Sequence, residues 1–143
     1  MKERIRKIVA KYGTRDPFEL ADAMGAITIT TPLYDGTRGY YTYHKRNGII
    51  CIDESLSDED ARIVCAHELG HFVLHRTENT ILLKNTTFVN TNKFEIQANK
   101  FAAHLLVPDS ALLEYKDTEF CISQIAADLG VPKSILELKF LQF

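Results

Sequence analysis

The order of patterns along the chain predicts an α+β protein folded as one unit. Three observations carry that reading. Helical periodicity occupies both ends of the sequence and its middle, β-rich runs cluster between residues 26 and 53, and no internal repeat or low-complexity linker divides the chain. At 143 residues the sequence is long enough to bury about two thirds of the surface of its unfolded chain, so neither disulfide nor metal is needed merely to hold it together.

Composition excludes several classes of partner. With 45% hydrophobic residues, 25% charged residues and a formal net charge of -2, the chain is an ordinary globular one and its bulk charge names no ligand. Cys51, Cys65 and Cys121 are odd in number, widely spaced and without a CxxC pair, which suits a reducing cytosol and small buried apolar roles. The N-terminal "MKERIRKIVAKYG" lacks the continuous apolar stretch of a signal peptide, and no run approaches membrane-spanning length. A cytoplasmic protein is expected.

Each element has its own signal. Ile5, Ile8, Val9 and Tyr12 stand at helical spacing before Gly13, which stops a first helix. Asp16 as N-cap, Pro17 at the first helical position and Gly25 past the end define a second. "AITITTP" is a short strand ended by Pro32. "RGYYTYHKRNGIICID" holds two β-rich runs, and Asn47-Gly48 marks a hairpin turn between them. A long helix opens at Ser57, with Asp58, Glu59 and Asp60 at its positive end, and runs to about His75. A polar stretch from Arg76 to Asn92 separates it from "KFEIQANKFAAHLLVP", a helix closed by Pro108, and two or three short helices finish the chain.

The long helix carries "CAHELGHFVLH" at 65–75. On a helix, His67 and His71 lie about 6 Å apart along the axis and about 40° apart around it, so both imidazoles reach one ion. Glu68 is rotated about 100° from His67 and about 60° from His71, flanking the ion without having to bind it. This H-E-x-x-H spacing suits a zinc held by two histidines from one helix, with the glutamate as base for an attacking water. Five histidines and ten glutamates in the chain would produce such a string by accident about 0.01 times, which leaves coincidence a poor explanation. His71 and His75 repeat the interval, but Phe72 then stands where the acid should be. His75 is read instead as a packing residue, a residue that orients a ligand, or a substrate contact.

A catalytic zinc takes three protein ligands, and Leu74 and Thr77 exclude the H-E-x-x-H-x-x-G-x-x-H continuation. Glu95 is the preferred third ligand, because it opens the next predicted helix with Ala98 and Ala102 on its side, and small residues let helices approach closely. Glu78 is its competitor from the polar loop.

"HELGHFVLH" at 67–75 and "EIQANKFAAHLLVP" at 95–108 together resemble the ImmA/IrrE family of zinc metallopeptidases, and "NGIICIDESLSDEDARIVCAHELGH" follows that family's element order upstream. The resemblance implies His67, His71 and Glu95 as zinc ligands and Glu68 as general base. It implies a zincin-like core over residues 1–108, with a small antiparallel sheet on the active-site helix, and a helical segment over 109–143 that packs on the core or docks substrate. It also implies site-specific cleavage of a helix-turn-helix repressor of a mobile element, prophage or stress regulon. His104 departs from the polar or acidic residue expected there, and His104, Tyr41 and Tyr43 join His75 as candidates for oxyanion or substrate contact.

Two rival readings stand beside this one. "ISQIAADLGVPKSILELKF" at 122–140 reads as helix, turn, helix, the outline of a DNA-binding module. Yet from residue 109 onward three lysines face six acids, the wrong balance for a phosphate-facing surface, so direct nucleic-acid binding is not expected. A non-catalytic zinc-binding regulator or antitoxin is the other, and Glu68 argues against it, since a structural zinc needs no base and is closed by four ligands.

Overall fold

A computed structural model describes residues 1–78 and 88–140 of the chain, without the side chains of residues 88–92. Most of the polar stretch expected between the two central helices lies outside the described residues. So does the end of the C-terminal segment, residues 141–143.

Local signals account for most of the elements. Helix α1 (Lys2–Tyr12) ends at Gly13, and α2 (Pro17–Ala23) begins where the Asp16 carboxylate accepts from the backbone N–H groups of Phe18 and Glu19 at 2.9 and 3.0 Å. Strand β1 (Ile27–Thr31) follows, then the hairpin of β2 (Gly39–His44) and β3 (Asn47–Asp53). Ser57 caps α3 (Asp58–Leu74), its hydroxyl accepting from the Asp60 N–H at 3.1 Å. Helix α4 is Phe88–Leu106, and α5 (Asp109–Leu113), α6 (Ile122–Leu129) and α7 (Lys133–Phe140) complete the described chain. The fold is α+β in a single domain.

Three expectations are corrected. The sheet is mixed, in the order β1-β3-β2, with β2 antiparallel to β3 but β1 parallel to it. The hairpin turns at Lys45-Arg46, both at positive φ, while Asn47 and Gly48 pair with His44 and Tyr43 inside the ladder. Gly48 is needed there for another reason: a Cβ would sit 2.4 Å from the Phe72 ring, so the residue that resembled a turn signal is the seat of an aromatic side chain. Cys51 and Cys65 are buried as expected, but Cys121 is exposed at the start of α6, where its N–H donates to Gln124 Oε1 at 2.9 Å.

Helix α3 runs through the centre of the molecule. Its neighbours on the sheet side include Tyr41, whose ring meets that of Phe72 edge-on at 6.2 Å. On the other side α4 supplies Ala98, Phe101, Ala102 and Leu105, all fully buried. The tail does not stand apart from this core, since Ala126, Val131, Ile135 and Leu136 are buried in the same cluster.

The contact of α3 with α4 is made possible by Gly70. A Cβ at that position would lie 3.0 Å from Ala98 Cα, 3.1 Å from Ala98 O and 3.1 Å from Phe101 Cβ, with backbone as the obstacle. Gly70→Ala should therefore lower stability by about 1–3 kcal/mol through overpacking, despite a gain of up to about 1 kcal/mol in helix propensity. Urea denaturation checks this, and a stabilised variant would show that the helices have room to spare.

Candidate metal centre

The two helices meet along a polar seam. His67, Glu68, His71 and His75 come from α3, while Glu95, Gln97 and Asn99 come from α4. Because α4 begins at Phe88 rather than near Lys93, Glu95 lies two turns inside the helix and not at its dipolar end. Attraction of a carboxylate to a helix N-terminus therefore does not explain it. Its position does: Glu95 and Asn99 are four residues apart on the face turned toward α3.

His67 Nε2 is 3.0 Å from Glu95 Oε2, His71 Nε2 is 3.2 Å from Glu95 Oε1, and the two Nε2 atoms are 3.2 Å apart. His67 donates from Nδ1 to Asn99 Oδ1 at 2.7 Å, which leaves its Nε2 free to offer a lone pair when the ring is neutral. Two imidazole nitrogens and a carboxylate thus converge on one point, and among the described residues they are the group able to hold a metal ion. Three acceptors facing one another repel unless a cation or a proton stands between them. Two neutral nitrogens and one carboxylate oxygen are a donor set suited to a borderline transition-metal ion with an open position, so these residues fit the group.

Without metal, protons take that place. Burial opposes charge on His67, but its hydrogen bond to Glu95 and the nearby Glu68 and Glu95 charges leave its pKa raised. His71 moves the other way, lowered first by burial. Burial also disfavours the charged form of Glu95, yet its contacts with the His67 and His71 rings hold its carboxyl well below the usual range. A divalent cation bound between these nitrogens would compete with any proton held there.

Glu68 is 5% exposed and, with His67 and Asn99, lines a cleft of about 510 Å³. The opposite walls are the β1–β2 loop, including Thr37 and Arg38, and the start of α7 with its preceding turn, including Pro132 and Ile135. Ile63 and Val64, one turn before His67 on α3, add apolar surface beside them.

Of the remaining candidates, none lines this cleft. Glu78 is exposed just after α3, and its N–H donates to the His75 carbonyl at 3.0 Å. His75 is buried behind His71, with its Nδ1 3.1 Å from His71 Nδ1. Tyr41 is fully buried and its hydroxyl donates to the Arg76 carbonyl, while Tyr43 is half-buried against the core. His104 is nine residues beyond Glu95, about 13 Å further along the helix. It lines a smaller pocket with Lys2, Arg15 and Lys139, and its Nδ1 is 3.2 Å from Lys139 Nζ. Sequence reasoning missed Gln97 and Asn99, although their spacing from Glu95 in "EIQAN" was a usable signal. It also missed the β1–β2 loop, which carries no motif.

The model of the IrrE N-terminal-like domain, Peptidase_M78, matches residues 21–141. The chain belongs to that family. It is 39% identical over 139 residues to "Uncharacterized immunity region protein 2" of Bacillus phage phi105, covering 97% of this chain and 88% of that one. It is 30% identical over 146 residues to "Metallopeptidase ImmA" of Bacillus subtilis, covering 99% and 85%. A solved "Mycobacterium tuberculosis transcriptional regulator" shares the fold at a TM-score of 0.60 and 16% identity, over 96% of this chain and 45% of that one. This member of a peptidase family thus carries a His-His-Glu group able to hold a metal ion, and no helix among the described residues is long and apolar enough to cross a membrane.

Two outcomes are expected. Glu95→Ala should reduce bound metal from about one equivalent to near zero by elemental analysis, whereas Glu78→Ala should leave it unchanged. Equal loss in both would reject Glu95 as the particular ligand. At the far pocket, burial first and the Lys139 charge second push His104 down to about 4 from 6.5. The unfolded chain then binds a proton that the folded one refuses, so stability is full above pH 6.5 and falls toward pH 4. Urea midpoints at pH 7 and pH 5 should differ less in His104→Asn than in the parent chain.

Proposed function

We propose that this protein is a zinc-dependent cytoplasmic endopeptidase that cuts a protein substrate at a specific bond, the substrate being a helix-turn-helix transcriptional repressor. One observation carries the peptidase reading: the His67, His71 and Glu95 donors converge next to Glu68 on α3, and Glu68 lines the same cleft as His67. Zinc follows from the donor set, two imidazoles and a carboxylate with a position left open. The repressor follows from the resemblance to ImmA/IrrE proteins, and an immunity-region protein and a metallopeptidase among the relatives support it.

When bound, zinc supplies Lewis acidity, polarising a carbonyl and making water a nucleophile at neutral pH. The chain's own residues do the rest. His67, His71 and Glu95 hold the donor atoms on two rigid helices, so little reorganisation is needed at reaction. Glu68 takes the proton of the attacking water and returns it to the departing amine. The cleft walls exclude solvent from one side of the scissile peptide and bind the flanking residues. Domain roles follow: residues 1–108 carry the chemistry and the segment from 109 onward docks substrate as well as packing on the core.

Glu68→Gln keeps the side chain's size and removes its basicity. Cleavage of the repressor substrate should fall by about 10²–10⁴-fold, with zinc content unchanged. Mass spectrometry of the fragments reads the first and elemental analysis the second. Undiminished cleavage would remove Glu68 from the reaction.

A further inference from the structure

Behind the metal-holding group runs a chain of hydrogen bonds whose direction is set at its far end. Gln97 Oε1 can only accept, so His75, 2.6 Å away, donates to it from Nε2. A neutral His75 ring with its hydrogen there has a lone pair on Nδ1, and His71 donates into it from Nδ1 at 3.1 Å. His71 is left with a lone pair on Nε2, the atom that faces His67 Nε2 and Glu95 Oε1. Reversing the chain would put a hydrogen on His71 Nε2 and block it as a ligand.

The surroundings keep this arrangement in place. His71 is fully buried and His75 is 7% exposed, so water does not compete for their nitrogens. The Phe94 ring lies 4.4 Å from that of His75 at 53°, and Phe94 and Gln97, three residues apart on α4, grip one imidazole by its face and its Nε2. We propose that Gln97 and His75 are positioning residues, a relay that selects the tautomer and ring plane of His71 so that its Nε2 is delivered as a lone pair to a divalent cation. The proposal deepens the metallopeptidase reading and rests on it. An ordinary satisfied core histidine would need the bonds but not their direction. Partners behind a metal ligand typically change affinity by about 10–100-fold when removed.

Three variants separate these roles. His75→Phe keeps a ring against Phe94 and deletes both nitrogens, His75→Asn places Oδ1 where Nδ1 stood, and Gln97→Met removes the terminal acceptor while leaving His75 intact. The probe is Zn²⁺ alone, titrated against a chromophoric chelator. The tautomer of His71 is read independently in the metal-free full chain from long-range ¹H–¹⁵N NMR spectra. The parent chain should show His71 protonated on Nδ1. His75→Phe and Gln97→Met should weaken zinc binding by about 10–100-fold and shift His71 toward the Nε2–H form, and His75→Asn should restore most of both. Unchanged zinc affinity together with an unchanged His71 tautomer in Gln97→Met, or in a folded His75→Phe, would overturn the relay. If the parent chain itself bound no zinc, the function proposed above would fail, while the tautomer spectra would still decide whether Gln97 and His75 direct His71.

Discussion

The structure depends on how closely α3 approaches α4. Gly70 lets the backbone of Ala98 come within reach of a single missing methyl group, and that distance brings short polar side chains from both helices into contact. Burying ionisable groups costs several kcal/mol each unless they are paired. A seam holding three histidines from one helix and a glutamate, a glutamine and an asparagine from the other is tolerable because its members pair with one another. His67 meets Asn99 and Glu95, His71 meets Glu95, and His75 meets Gln97 and Phe94.

What could be read from the sequence was mostly what local chemistry decides. Caps at Asp16 and Ser57 placed two helices, and the interval between His67 and His71 placed both rings on one side of α3. Glu95 was legible because small residues on its side implied a close neighbour, although the start of its helix was not, since the run before Lys93 holds several Asn and Thr residues able to cap a helix and so marks no single start. Asn47-Gly48 misled because glycine there makes room for Phe72, a tertiary demand that looks the same in sequence as a turn. His75 resembled a spare ligand, and only the position of Gln97 on another helix reveals which way its hydrogens point. The parallel pairing of β1 with β3 had no local signature, as is usual for contacts between distant residues.

The cleft is composite. α3 and α4 provide the reactive wall, the β1–β2 loop provides another, and the turn before α7 provides the third. The tail, with its three lysines and six acids, is therefore a wall beside His67 and Glu68 as well as part of the core. This accounts for a helix–turn–helix outline without a basic surface: Ile135 and Leu136 are buried in the core, and Pro132 and Ile135 line the cleft. His104 and Lys139 hold the opposite end of α4, where Arg15 donates to the carbonyls of His104 and Leu105 at 3.1 Å each. These contacts tie the end of α4 remote from Glu95 to Arg15 and Lys139.

The central claim is that one ion is held by donors from α3 and α4 together. Anomalous diffraction at the zinc edge from crystals of the metal-loaded protein tests it most directly. The account predicts a single peak about 2.0–2.2 Å from His67 Nε2, His71 Nε2 and a Glu95 oxygen, with Glu68 beside it but not bound. A peak between His71 and His75, or one closed by a fourth protein ligand, would contradict it.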